Sequence, residues 1–157
     1  MTTQPTKAQW EEIKNALSHP YGMAYFKCDD YLVSARIEQS KMRLVIAVYV
    51  NGYIRGRWTW SGKACHLNEM PEIPRRFYFL SKKHKTAKEI DLNNKIFGKK
   101  RCKVEGINDP LCHALPWFNT AGAFVAHLKK HNTSIEVLDC ERYQQLLVEL
   151  QPKVNHV

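Results

Sequence analysis

From Leu44 to Val50 every residue is apolar, and Asn51-Gly52 follows at once. Such a run suits a central strand covered on both faces. Asn-Gly is the strongest short-range hairpin signal, because a type I′ turn needs positive φ at both central residues. The pattern predicts a strand over residues 43–50 and a returning strand over residues 53–60. The return would place Ile54, Trp58 and Trp60 on one face and Tyr53, Arg55, Arg57 and Thr59 on the other. Upstream, residues 31–39 alternate, with Tyr31, Val33, Ala35 and Ile37 opposite Leu32, Ser34, Arg36 and Glu38. A first short strand over residues 23–28, ended by Asp29-Asp30, completes an antiparallel meander of three to four strands.

Helical signals flank this meander. Thr6-Lys7-Ala8-Gln9 reads as a capping box, and Trp10, Ile13 and Leu17 recur at helical spacing over residues 7–17. Ser18-His19-Pro20-Tyr21-Gly22 stops that helix. Residues 61–74 read as irregular, and residues 75–80 as a short segment docking Phe77 and Phe79. A helix is expected over residues 82–97 with Gly98 as its C-cap, then a second irregular stretch over residues 99–116. Asn119 or Thr120 caps a helix to His131 whose stripe is Ala121, Phe124, Val125 and Leu128. Residues 134–138 read as a late strand, and Asp139 caps a last short helix carrying Tyr143, Leu146, Leu147 and Leu150. The order predicts an α+β fold: one domain over residues 1–157, an antiparallel sheet (meander plus late strand) packed with helices. Residues 152–157 are expected to fray.

With 157 residues, 44% of them hydrophobic, the chain can bury a real core. No apolar run approaches the ~20 residues that span a bilayer. The first residues lack the basic start and apolar stretch of a signal peptide. A cytoplasmic, non-membrane protein is the expectation. Five cysteines, widely spaced and odd in number, argue against a disulfide framework.

The formal charge of +9 is segregated. Residues 75–103 hold eleven basic and two acidic residues, which is the whole excess. Such a surface draws polyanions by counterion release and steering. Nucleic acid, RNA or DNA, is the leading partner, alone or in a host nucleoprotein complex. An acidic protein surface comes second. Anionic lipid comes third, because the segment shows no wide apolar face. The alternative is an ordinary solvated surface. Binding candidates are Arg75, Arg76, Lys82, Lys83, Lys85, Lys88, Lys99, Lys100 and Arg101. Arg55 and Arg57 join them if Tyr53, Arg36 and these two share a sheet face. Phe77, Tyr78 and Phe79 either stack on bases or anchor the segment in the core.

Other chemistry is poorly represented. Cys65, Cys102, Cys112, His127 and His131 hold the residue types of a zinc site without the usual Cys-x₂₋₄-Cys spacing, so no metal and no cofactor are assigned. Free cysteines and helix-surface histidines are the alternative; a zinc-stabilised module or small enzyme remains a third reading. Asp29-Asp30 reads as a solvated turn. There is no P-loop, dinucleotide fingerprint, Gly-x-Ser-x-Gly or His-Glu-x-x-His, so no catalytic residue is assigned.

The blocks His19-Pro20-Tyr21-Gly22, Cys28-Asp29-Asp30-Tyr31, Val48-Tyr49-Val50-Asn51-Gly52, Gly56-Arg57-Trp58, Arg75-Arg76-Phe77-Tyr78 and the stretch His127 to Glu136 resemble small proteins of proteobacterial phages and integrative elements. The likeness covers about residues 7–138. It implies a setting and no site residue: a binding protein of the anti-CRISPR type that inhibits a host defence nuclease. A nucleic-acid-binding regulator or packaging accessory is the alternative. A chain at +9 is no DNA mimic.

Overall fold

The computed structural model describes residues 2–154, with side chains described through Leu150. Its first half runs α1 (Lys7–Ala16), β1 (Met23–Cys28), β2 (Tyr31–Ser40), β3 (Arg43–Val50), β4 (Ser61–Lys63), α2 (Glu72–Phe77) and β5 (Phe79–Lys83). There follow α3 (Ala87–Phe97), α4 (Lys99–Glu105), β6 (Leu111–Leu115), β7 (Trp117–Phe118), α5 (Ala121–His131), β8 (Ile135–Leu138) and α6 (Cys140–Val154). The fold is α+β, as expected. A five-stranded antiparallel sheet has the order β7-β3-β2-β1-β8, and a three-stranded one the order β4-β6-β5.

The caps form where the residues asked for them. Thr6 and Gln9 exchange hydrogen bonds of 3.2 and 2.9 Å at the start of α1. Thr120 accepts from the Ala123 amide at α5, and Asp139 from the Arg142 amide at α6. Between α1 and β1 the backbone passes so close to itself that a Cβ on Gly22 would run into the Ala16 carbonyl. Glycine alone fits there.

Alternation along the strands fixes the layers. Phe26, Cys28, Val33, Ala35, Ile46, Val48, Val50 and Ile135 face Trp10, Ile13, Leu17, Phe124, Val125 and Leu128 of α1 and α5 in one buried cluster. That cluster continues through Met70, Phe77, Tyr78 and Ala114 into the second sheet. On the other face Leu32 and Leu138 pack with Tyr143 of α6. Strand β3 is buried on both faces, Val45 and Ala47 on one and Ile46 and Val48 on the other.

The hairpin after β3 differs from expectation. Asn51 and Gly52 take φ of 51° and 86°. Val50 and Tyr53 exchange backbone bonds of 3.0 and 3.1 Å. The turn forms, yet no returning strand extends from it. Residues 54–60 leave the sheet, and β7 takes the edge of β3, pairing Ile46 with Phe118. Phe118 is buried against Phe79, Phe124 and His127. That aromatic burial outweighs the local hairpin. Gly52→Ala should destabilise the fold by about 1–2 kcal/mol, the cost of a side chain at that φ. Its Cβ would also meet Leu147 Cδ1 of α6 at 3.3 Å. A urea titration would show it; an unchanged midpoint would contradict the turn geometry.

Three further boundaries move. Lys82 and Lys83 belong to β5, and α3 begins only at Ala87, behind the capping box of Thr86 and Glu89. The stretches expected to be irregular contain β4, β6, α2 and α4. Helix α6 runs through Pro152 to Val154, and residues 155–157 of the expected frayed tail lie outside the described residues.

Candidate nucleic-acid interface

The basic segment divides into cations with structural partners and cations facing solvent. Arg75 and Arg76 are neighbours on α2 with opposite fates. Arg76 reaches Asp29 Oδ2 and Glu72 Oε1, both at 2.9 Å, and lies 5.7 Å from the Tyr31 ring centroid. Lys85 is half-buried and donates to the Ile107 carbonyl, pinning the entry of α3 to the loop after α4. Arg101 pairs with Glu105 at 3.1 Å and lies over Phe97. Arg55 lies between the Tyr53 and Trp58 rings, at 4.9 and 5.6 Å. Arg75, Lys82, Lys83, Lys88, Lys99, Lys100 and Arg57 are exposed, and none makes an ion pair among the described residues.

The expected platform of Arg36, Tyr53, Arg55 and Arg57 is not assembled. Arg36 stays on β2, 2.8 Å from Glu38 and over the Tyr49 ring. Arg55 and Arg57 follow a chain that has left the sheet. Phe77 and Tyr78 are buried and Phe79 half-buried, so these aromatics anchor the segment in the core.

Strand β5 is the edge of its sheet, and successive side chains on it point to opposite faces. Lys83 lines a groove of about 380 Å³ against α3, with Leu92 and Leu111. Lys82 lines a larger cleft of about 560 Å³ between the α2–β5 segment and α5. The wall of that cleft is apolar (Tyr78, Phe79, Leu80, Phe118), and Arg75, Lys82, Lys130 and His131 share it; no carboxylate lines it. Lys130 was not a candidate from the sequence, because it lies in the charge-neutral remainder. Its place beside His127 and His131 on one helix was the only available signal.

Three groups in the cleft have displaced pKa values. His127 is pushed down to about 4, first by burial, then by His131 and Lys130. At neutral pH it is uncharged, with Nε2 3.1 Å from the Arg75 carbonyl. Its ring lies 5.4 Å from Phe118 and 4.3 Å from His131, forming an aromatic ladder that leads from the core to the cleft. His131 is also pushed down, by burial and by Lys130 and Arg75. Tyr78 is buried, its hydroxyl makes no hydrogen bond among the described residues, and burial pushes its pKa up to about 12.

The zinc alternative finds no ligand set. Cys102 Sγ donates to the Asn93 carbonyl at 3.4 Å, and exposed Cys65 lies by Asp109. Cys112 is buried near Pro110. Among the described residues no three His, Cys, Asp or Glu are placed to hold one ion. Asp29 is no solvated turn carboxylate either: it accepts from Arg76 and from the Thr133 and Ser134 amides.

The basic helices carry more exposed apolar surface than the sequence implied. Leu92, Ile96, Phe97 and Val104 are 57%, 63%, 42% and 78% exposed. No helix among the described residues is long and apolar enough to cross a membrane. Protein-family models, curated proteins and solved structures give no match to this chain.

Proposed function

We propose that the chain binds nucleic acid through its phosphate backbone, using the solvent-facing cations of α2, β5, α3 and α4. The observation that carries this reading is the display itself. Arg75, Lys82, Lys83, Lys88, Lys99 and Lys100 stand exposed and without ion pairs among the described residues. Each phosphate neutralised by such a cation releases counterions, which makes affinity fall steeply with salt.

Lys83, Lys99 and Lys100 test it best, since none has a structural partner among the described residues. The triple variant Lys83→Glu, Lys99→Glu, Lys100→Glu should lose about a hundredfold in affinity for a labelled oligonucleotide, read by fluorescence anisotropy at ~0.15 M salt. The slope of log K against log salt should shrink by roughly one for each lysine. Equal affinity and equal slope would remove the proposal. A second reading, that the partner is a nucleoprotein complex, is favoured by Leu92, Ile96, Phe97 and Val104 standing exposed among the lysines. A captured partner that survives nuclease treatment would support it.

A further inference from the structure

We propose that the cleft between the α2–β5 segment and α5 holds one unstacked base of a single-stranded nucleic acid, with the adjoining phosphates on Arg75, Lys82 and Lys130. This rests on the nucleic-acid reading above and narrows it to single strands.

Three features of the cleft converge. Its volume, about 560 Å³, lies in the range of small-ligand sites. Its wall is apolar and aromatic, and the ladder from Phe118 through His127 ends at His131, which lines the cleft. Bases stack on such rings whatever their sequence. The charged residues of the wall are all cationic or histidine. An apolar wall beside cations alone suits a flat, weakly polar ring joined to phosphates. It does not suit a purely apolar ligand, which would leave Arg75, Lys82 and Lys130 unused. Tyr78 adds a buried, protonated hydroxyl with no hydrogen-bond partner among the described residues. A strand accounts for the cleft better than a nucleoside monophosphate, because Arg75, Lys82 and Lys130 bring three cations from three elements to it, more than one phosphate needs.

A base inside a duplex is stacked and paired and reaches the cleft only by being flipped out at the cost of unstacking and unpairing, whereas a single strand presents it without that cost. The wild-type protein is titrated with a fluorescein-labelled oligothymidylate, with an abasic strand of the same length, and with thymidine 5′-monophosphate as competitor. The oligothymidylate should bind roughly ten- to hundredfold tighter than the abasic strand. Ala126→Phe fills the cleft from an exposed position of α5 and leaves every cation in place. It should bring the oligothymidylate down to the abasic level and leave abasic binding unchanged; Ala123→Phe should do the same from the neighbouring turn. Equal wild-type affinity for the two strands overturns the base pocket and leaves the nucleic-acid reading standing. No binding to either strand removes that reading and the pocket with it. Competition by the mononucleotide at the strand's own concentration would assign the cleft to a free nucleotide and overturn the strand proposal.

Discussion

Asp29→Ala is expected to lower the unfolding free energy by about 3 kcal/mol. Asp29 sits in the turn between β1 and β2 with φ at 51°, a left-handed value that Asp tolerates better than Ala. Its Oδ1 accepts from the Ser134 amide at 2.9 Å, and its Oδ2 from the Thr133 amide at 3.2 Å and Arg76 Nη1 at 2.9 Å. One side chain thus ties the β1–β2 turn to α2 and to the entrance of β8. Hydrogen bonds to a charged group are worth about 1.5–3 kcal/mol each, and partial exposure here reduces that. Arg76→Ala should cost about 2 kcal/mol, and a double-mutant cycle should show the two losses to be coupled. Urea unfolding measures both. A loss below about 1 kcal/mol for Asp29→Ala would show that the network is not structural. The same pair separates fold from function. Arg75→Ala should reduce the salt slope of binding, and Arg76→Ala should leave it unchanged.

Local chemistry made the five-stranded sheet and the helices packed on it legible. The capping box of Thr6 and Gln9, the alternation of residues 31–39, the apolar run to Val50 and the stripe of α5 each stabilise their own element. Burial then confirms the faces they predict. The second sheet was hidden for the opposite reason. Its strands are short, and Ser61–Lys63 and Leu111–Leu115 contain no run that prefers a strand. They exist because Cys112 and Ala114 are buried between two neighbours far away in sequence. Non-local pairing of that kind leaves no periodic trace. The hairpin shows the limit from the other side: Asn51-Gly52 specified its turn correctly, but tertiary burial of Phe118 decided which segment lay beside β3.

The site divides in the same way. Charge segregation located the basic segment, but charge is counted per residue and partnership is not. Sequence could not separate Arg75 from Arg76, or Lys83 from Lys85, because the partners are Asp29 and the Ile107 carbonyl, brought in by the fold. Lys130 entered the cleft only through the packing of α5 against α2. The surface is therefore both smaller than the run of basic residues and wider than it in chain position.

Acid should weaken this protein through His127. The folded chain holds the imidazole neutral down to about pH 4, whereas an ordinary histidine takes its proton near 6.5. The unfolded state therefore binds the proton first. Stability is fully present above pH 6.5 and is lost as pH falls from there towards 4, by up to 1.36 kcal/mol for each pH unit. Between pH 7 and pH 5 the loss comes to about 2 kcal/mol, and by pH 4 to roughly 3. The groups around the ring act the same way. His131 and Lys130 on α5 oppose a positive charge on the ring and the Arg75 carbonyl favours it, while Arg75 and Lys82 line the same cleft with no carboxylate beside them. His131, also held below its ordinary value, adds to the loss. Urea midpoints measured at pH 7 and pH 5 test this directly. His127→Gln, which keeps a donor for the Arg75 carbonyl and cannot titrate, should flatten most of the difference. A wild-type stability equal at both pH values would show that the ring is not held neutral. Bound nucleic acid should change the outcome, since phosphates beside Lys130 and Arg75 offset the charge part of the shift, which adds to the larger effect of burial on both histidines. A saturating oligonucleotide should therefore raise the midpoint more at pH 5 than at pH 7.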